Sequence, residues 1–324
     1  DEVTRTTLIR LLAGSGSPKK VGVLLGALSD ASPLVRSAAA AGLEGWREPP
    51  VIAALLEATG DPVRLVRVRA AGALSGIPAG DLPAPLRERL ARATEELEAA
   101  LTVRPDAWST YYNLGNLHAQ RGEHEEAFAA FRRASRLRPD VEAPWVNAAM
   151  LHAQRGELGL AENALRRALE AAPDSGAANF NLGLLLAERG RPEEAKKRLR
   201  AALEADPGMA AAAYNLAGLL AEDEPEEALA RFRQAWEATP DRPRYVFAYA
   251  WSLHEAKRDA EALKLLTEAA GHGVVNADVY GLLAELYRLR GDTGAARAVL
   301  QRALEDPRLS PQDRATRRKQ LEGP

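Results

Sequence analysis

Asn113, Asn147, Asn181 and Asn215 stand 34 residues apart along the chain. So regular a spacing marks an internal repeat of 34 residues. Other positions keep the same register. Counted from Trp108, the first unit carries Tyr111, Leu114, Gly115, Ala127, Phe131, Ala134 and Pro139. The second carries Trp145, Ala148, Ala149, Ala161, Leu165, Ala168 and Pro173, and the third Leu182, Gly183, Ala195, Leu199, Ala202 and Pro207. A fourth, Ala210 to Arg242, is one residue short, and the deletion falls in its inter-helix turn, Glu222 to Pro225. A fifth begins near Pro243 and a sixth near Ala277.

The residue types explain the pattern. Gly115, Gly183, Ala127 and Ala195 let paired helices approach closely, while Tyr111, Trp145, Phe131 and Leu199 fill the space between units. Gly122, Gly156, Gly190 and Gly291 fall where a left-handed residue closes the first helix. The prolines at 139, 173, 207 and 240 stop the second. Spacing and positions together resemble the tetratricopeptide repeat, and the resemblance covers about two thirds of the chain. It implies an all-α helical-repeat solenoid, a right-handed superhelix whose core exists only between stacked units.

The first hundred residues carry a second period. Asp30 to Gly45 aligns with Asp61 to Gly76 at a spacing of 31, with Val35/Val66, Arg36/Arg67, Ala39/Ala70, Leu43/Leu74 and Gly45/Gly76 coinciding. This resembles a short HEAT-type repeat. Thr4 to Gly14 reads as the second helix of a further unit, and with no initiating Met we expect a piece of a longer chain. The expected division is HEAT-like repeats over 1–80 and a connecting helix within 81–104, from about Pro83 to Val103. The tetratricopeptide domain follows over 105–306 and a polar capping helix over 307–324. Limited flexing is expected near Gly80 and Pro83.

Composition excludes more than it suggests. The chain has 43 basic and 45 acidic residues, so no bulk attraction to nucleic acid is expected, and the short basic runs lack interleaved aromatics. No stretch is apolar enough for membrane insertion. There is no cysteine, which removes disulfides and thiol chemistry. The five histidines show no i, i+4 metal pairing, and no phosphate loop or nucleophile elbow occurs. His118 and His152, in a duplicated Leu-His-Ala-Gln-Arg-Gly-Glu segment, read as packing residues. The acidic pairs Glu125-Glu126, Glu193-Glu194 and Glu226-Glu227 read as helix starts that complement the dipole. No catalytic residue, cofactor or metal is expected.

The family resemblance also implies a binding face, because in tetratricopeptide proteins the first helix of each unit lines an inner groove. Its fifth position here holds Tyr112, Val146, Phe180, Tyr214 and Phe247. The sixth holds the four asparagines, and the ninth Asn116, Met150, Leu184, Gly218 and Trp251. Arg244 falls at a second position. A primary amide can donate to a carbonyl and accept from an N–H at once, so an asparagine row could hold a peptide backbone of any sequence. Aromatic and Met neighbours would add desolvated contact. The row is similar to the peptide-holding ladder of protein O-linked N-acetylglucosamine transferases. The carboxylate clamp of chaperone-binding relatives fits less well, since it wants Lys where Tyr112 and Phe180 stand. Two readings stay open: an asparagine ladder that binds a peptide or protein partner, and asparagines that serve their own scaffold.

The order of parts resembles the C-terminal half of bacterial multi-haem cytochrome c proteins. It includes Leu-Pro-Ala-Pro-Leu-Arg at 82–87 and Arg-Tyr-Val-Phe-Ala-Tyr-Ala at 244–250. That resemblance implies a tethered haem domain missing from this chain, which itself has no Cys-X-X-Cys-His motif, and an extracytoplasmic setting. A cytoplasmic setting is the alternative. A structural or docking module of such a protein is thus the second functional reading, beside the interaction scaffold.

Overall fold

The computed structural model describes residues 1–17, 19–77 and 82–322, and the expected hinge at Gly80 and the boundary at 80/81 lie outside them. Among the described residues there are nineteen α-helices and no strand. The chain is an all-α helical-repeat solenoid that divides into two compact units, Asp1–Ala171 and Ala172–Pro324.

The first unit opens with α1 (Glu2–Ala13), α2 (Lys20–Ala27), α3 (Pro33–Gly42), α4 (Pro49–Ala58) and α5 (Arg64–Ala73). The in-register positions are its core: Val35, Ala39, Leu43, Ala70 and Leu74 are buried together with Leu24, Val51 and Leu55. Asp30 and Asp61 start the second helices by accepting the backbone N–H two residues on, each at 2.8 Å. The connecting helix α6 (Ala84–Leu101) begins after Pro83, close to the expected start. Two hairpins follow, α7 (Trp108–Gln120) with α8 (His124–Leu137), and α9 (Ala143–Gln154) with α10 (Leu158–Ala171).

The second unit continues with α11 (Gly176–Glu188) and α12 (Pro192–Ala205), α13 (Ala210–Leu220) and α14 (Pro225–Ala238), then α15 (Pro243–Glu255) and α16 (Asp259–Gly271). It ends with α17 (Ala277–Leu289) and α18 (Thr293–Glu305), followed by α19 (Pro311–Glu322). The last helix is tied down by Arg317, which donates to the Ala277 carbonyl at 2.8 Å, and by Arg288, which donates to the Gln320 carbonyl.

The hairpin turns follow one rule with one exception. Gly122, Gly156, Gly190 and Gly291 all have positive φ, between 71° and 83°. The next backbone N–H then reaches back five residues, as Glu123 to His118 and Arg191 to Leu186 do at 2.9 Å. In the fifth repeat Lys257 takes the glycine's place at φ 61°. The shortened fourth repeat has no such residue, and Glu224 N–H reaches back only four, to Leu220 at 2.7 Å. The acidic pairs do sit in the first turns of α8, α12 and α14, yet none of these helices has a side-chain cap. They complement the dipole, and Glu125, Glu193, Glu194 and Glu227 also pair with nearby arginine or lysine side chains.

Candidate functional site

The first helices of the repeats carry all twelve residues singled out from sequence. In the first unit these are Tyr112, Asn113 and Asn116 on α7 and Asn147 and Met150 on α9. Asn147 Nδ2 donates both its hydrogens to the neighbouring helix, to Asn116 Oδ1 at 2.6 Å and Tyr112 Oη at 3.2 Å. Only its Oδ1 is left to meet a ligand. Tyr112 is braced from its other side by Trp108 and Phe131, with ring centroids 5.7 and 6.3 Å away. Asn113 is exposed and Met150 is 46% exposed, so both face open solvent.

In the second unit the asparagines turn to their own helices. Asn181 Nδ2 donates to the Ala177 carbonyl at 2.8 Å, and Asn215 Nδ2 to that of Ala211 at 2.7 Å. Because the acceptor is a carbonyl, the amide oxygen of each must point away from it. Each keeps one N–H and the oxygen. The four in-register asparagines are therefore not equivalent: the scaffold takes two donors of Asn147 and one each of Asn181 and Asn215.

Aromatic residues dominate the rest of this face. Phe180 and Tyr214 pack on the cluster of Leu199, Ala212, Leu216 and Leu220. Tyr214 meets Phe232 edge-on at 5.8 Å and Tyr245 at 5.3 Å. The Arg244 guanidinium lies 4.4 Å above the Tyr214 ring, a cation–π arrangement that commits this cation to its own scaffold. A cleft of about 270 Å³ opens between α11 and α13, lined by Leu184, Ala187, Tyr214, Asn215, Gly218 and Phe232 among others. Four of these six, Leu184, Tyr214, Asn215 and Gly218, hold positions on the first helices that the family resemblance assigns to the groove.

Trp251 stands 44% exposed on α15, with Phe247 and His254 flanking its ring at 6.1 and 5.8 Å. It does not pack inward. It walls a second cleft, about 560 Å³, with Ala221, Glu222, Pro225, Glu226, Phe232 and Glu255. Phe232 lines both clefts, so the two are neighbours along one surface of this unit. The cleft sits at the one turn that lost a residue.

Sequence reasoning missed two features. The glutamates around Trp251 carried no motif, although the deletion at 222–225 marked the place. The histidines are also more than packing residues. His118, His152 and His254 each donate through Nδ1 to an acid five residues on, Glu123, Glu157 and Asp259, always at 2.6 Å. This pairing ties the end of a first helix to the start of a second. The hydrogen bond from His152 holds the Glu157 carboxyl below the usual range, against burial, with Arg155 helping. His152 also stacks on Phe128 of α8 at 4.1 Å, which is packing between units. The recurring His-x4-acid spacing was the signal. Among the described residues no three histidine or acidic side chains form a metal-binding group. None of the described helices is long and apolar enough to cross a membrane.

Comparison with known proteins agrees with this architecture. Tetratricopeptide-repeat profiles match residues 87–142, 146–195, 184–224 and 260–314, and a second such profile matches 219–286. A HEAT-repeat profile matches residues 1–75 and 21–103. No curated protein sequence matches the chain. Among solved structures, Pseudomonas aeruginosa PilF is 22% identical with a TM-score of 0.52, covering 67% of this chain and 99% of its own. YrrB, described as a TPR protein with an unusual peptide-binding site, is 21% identical with a TM-score of 0.45, covering 56% and 94%. These likenesses concern the fold. On its repeats, their register and their profile matches, the chain belongs to the tetratricopeptide-repeat family, with HEAT-like repeats ahead of the tetratricopeptide units.

Proposed function

We propose that this chain is a protein-interaction scaffold that holds an extended peptide segment against the first helices of its repeats. The observation that carries this reading is the cleft between α11 and α13. It is open, apolar-walled and lined by Leu184, Tyr214, Asn215 and Gly218, with the Asn215 amide there for a peptide backbone. In the first unit Asn113, Met150 and the free oxygen of Asn147 would offer a separate stretch of the same kind. In the second, Phe180, Asn181, Phe247 and Trp251 would extend the contact. Because the scaffold already uses an amide hydrogen of Asn181 and of Asn215, these residues would act chiefly as acceptors from peptide N–H groups. Arg244 would contribute as the lid over Tyr214.

Gly218 allows a clean test. A Cβ built there meets no atom within 4 Å, so Gly218→Leu fills the cleft without disturbing the fold, and a non-glycine residue in a helix adds up to about 1 kcal/mol. Random dodecapeptides displayed on phage would be selected on the full chain and rebound to this variant. Binding weakened at least about tenfold, with an unchanged or higher melting temperature, is the expected result. Selected peptides that bind wild type and variant equally would overturn the reading.

A further inference from the structure

Resting on that reading, we infer that the cleft at Trp251 selects a basic side chain, an arginine or lysine of the bound protein segment. The indole stands half-open to solvent. Phe247 and His254, four residues before and three after it on α15, hold the ring in place. His254 is itself fixed by Asp259 at 2.6 Å. An oriented indole face is the best aromatic partner for a cation.

The carboxylates around it point the same way. Glu222, Glu226 and Glu255 line the cleft with Trp251, are exposed, and form no ion pair among the described residues. Three of the cations nearby are already committed, while Lys257, exposed just past the end of α15, forms no ion pair among the described residues. Asp223 pairs with Lys196 and Glu224 with Arg200. Arg258, which also feels the charge of Glu226, is chelated by Glu261 through two bonds of 2.7 Å. Three carboxylates thus line one apolar-walled cleft with no direct ion pair to the chain. An acidic side chain would be repelled there, and an aliphatic one would desolvate the carboxylates for no return. A guanidinium or ammonium group answers both the ring and the charges, while its alkyl stem lies against Phe232 and Pro225.

The test uses the full chain and the dodecapeptides selected on it. Selected sequences should be enriched in Arg or Lys at one fixed place. Replacing that residue by norleucine should weaken binding to wild type at least about tenfold, the combined scale of a cation–π contact and partly shielded ion pairs. The same replacement should cost little on Trp251→Leu or on the combined Glu222→Gln, Glu226→Gln and Glu255→Gln variant, whose melting curves check that they fold. Raised salt should weaken the arginine peptide more than its norleucine counterpart. Peptides without a basic preference, bound equally by wild type and the triple glutamine variant yet lost on Gly218→Leu, would overturn the basic-anchor proposal and leave the groove reading standing. Binding lost on neither variant, or no peptide selected at all, would overturn both.

Discussion

The guanidinium of Arg36 grips the carboxylate of Asp61, with Nε 2.7 Å from Oδ2 and Nη2 3.0 Å from Oδ1, while Nη1 donates to the Asp30 and Ala31 carbonyls. Arg5 and Arg67 lie one period of 31 before and after it. Arg5 bonds Asp30 at 3.1 Å, and Arg67 grips Glu96 at 2.7 and 3.0 Å. Arg36 and Arg67 therefore each close their own turn and also reach onward, whereas Arg5 only reaches onward. At the end of the array the acid comes from α6 instead of a further repeat.

Burial separates these links. The Arg36–Asp61 side chains are 14% and 10% exposed, against 51% and 22% for Arg5–Asp30. Arg36→Leu strands a mostly buried carboxylate and should cost about 2–4 kcal/mol. Arg5→Leu should cost under about 1 kcal/mol. Urea unfolding followed by circular dichroism would compare the two, and equal losses would mean that the ladder does not hold the array together.

The same ladder makes the first unit acid-sensitive. Hydrogen bonds from Arg67 hold the Glu96 carboxyl below its usual range, with burial working against them. At Asp61 burial pushes upward, and the hydrogen bonds from Arg36 and the Val63 N–H outweigh it. Folded values below the unfolded ones mean stability that is fully present above the ordinary carboxylate range and is lost as pH falls through the folded values. The urea midpoint should therefore be flat near neutrality and drop as the solution becomes more acid than about pH 4. In Glu96→Gln the drop should be shallower, though the midpoint at pH 7 is lower. A wild-type midpoint independent of pH down to 3 would contradict this.

Much of this was legible because repetition makes each position testable against its copies. The glycines at 122, 156, 190 and 291 announced left-handed turns, and φ is positive at all four. Arg36 and Arg67 coincided in the 31-residue alignment, but their partners did not follow from it, since Asp61 stands 25 residues after Arg36 and Glu96 29 after Arg67. What stayed hidden depends on rotamers and on neighbours outside the register. Nothing in the letters says that Asn147 spends both amide hydrogens on α7 while Asn215 spends one on its own helix. Nor does the sequence show which acids at the shortened fourth turn find cations and which, like Glu222, do not.

Gly115 and Gly218 stand one place apart in the repeat register, at its eighth and ninth positions, and should behave oppositely. A Cβ at Gly115 would lie 2.5 Å from the Phe131 ring, and one at Gly183 would lie 2.8 Å from Leu199. Phe131 is almost fully buried and cannot retreat. Gly115→Ala should therefore destabilise by about 1–2 kcal/mol, overpacking outweighing the gain in helix propensity. Gly218→Ala, which adds its methyl to open space, should stabilise by about 0.5–1 kcal/mol. Thermal unfolding of the two variants should show melting points displaced to opposite sides of wild type; shifts of the same sign would refute the close approach at Gly115.

The four asparagines give the sharpest contrast, because position and residue type are constant while bonding is not. Asn147→Ala removes two bonds between α7 and α9 and leaves Asn116 Oδ1 without its donor. We expect a loss of about 1–2 kcal/mol, only partly offset by the better helix propensity of alanine. Asn181→Ala and Asn215→Ala remove a bond to a carbonyl of their own helix, a bond that competes with helix geometry, so stability should stay within about 0.5 kcal/mol of wild type. Asn113→Ala, on an exposed position, should match them. Four single variants melted side by side would decide, and a uniform loss across all four would mean that the asparagines are interchangeable scaffold residues. With the expected pattern, any peptide affinity lost in Asn181→Ala or Asn215→Ala would come from the groove itself, since the fold around it would be intact.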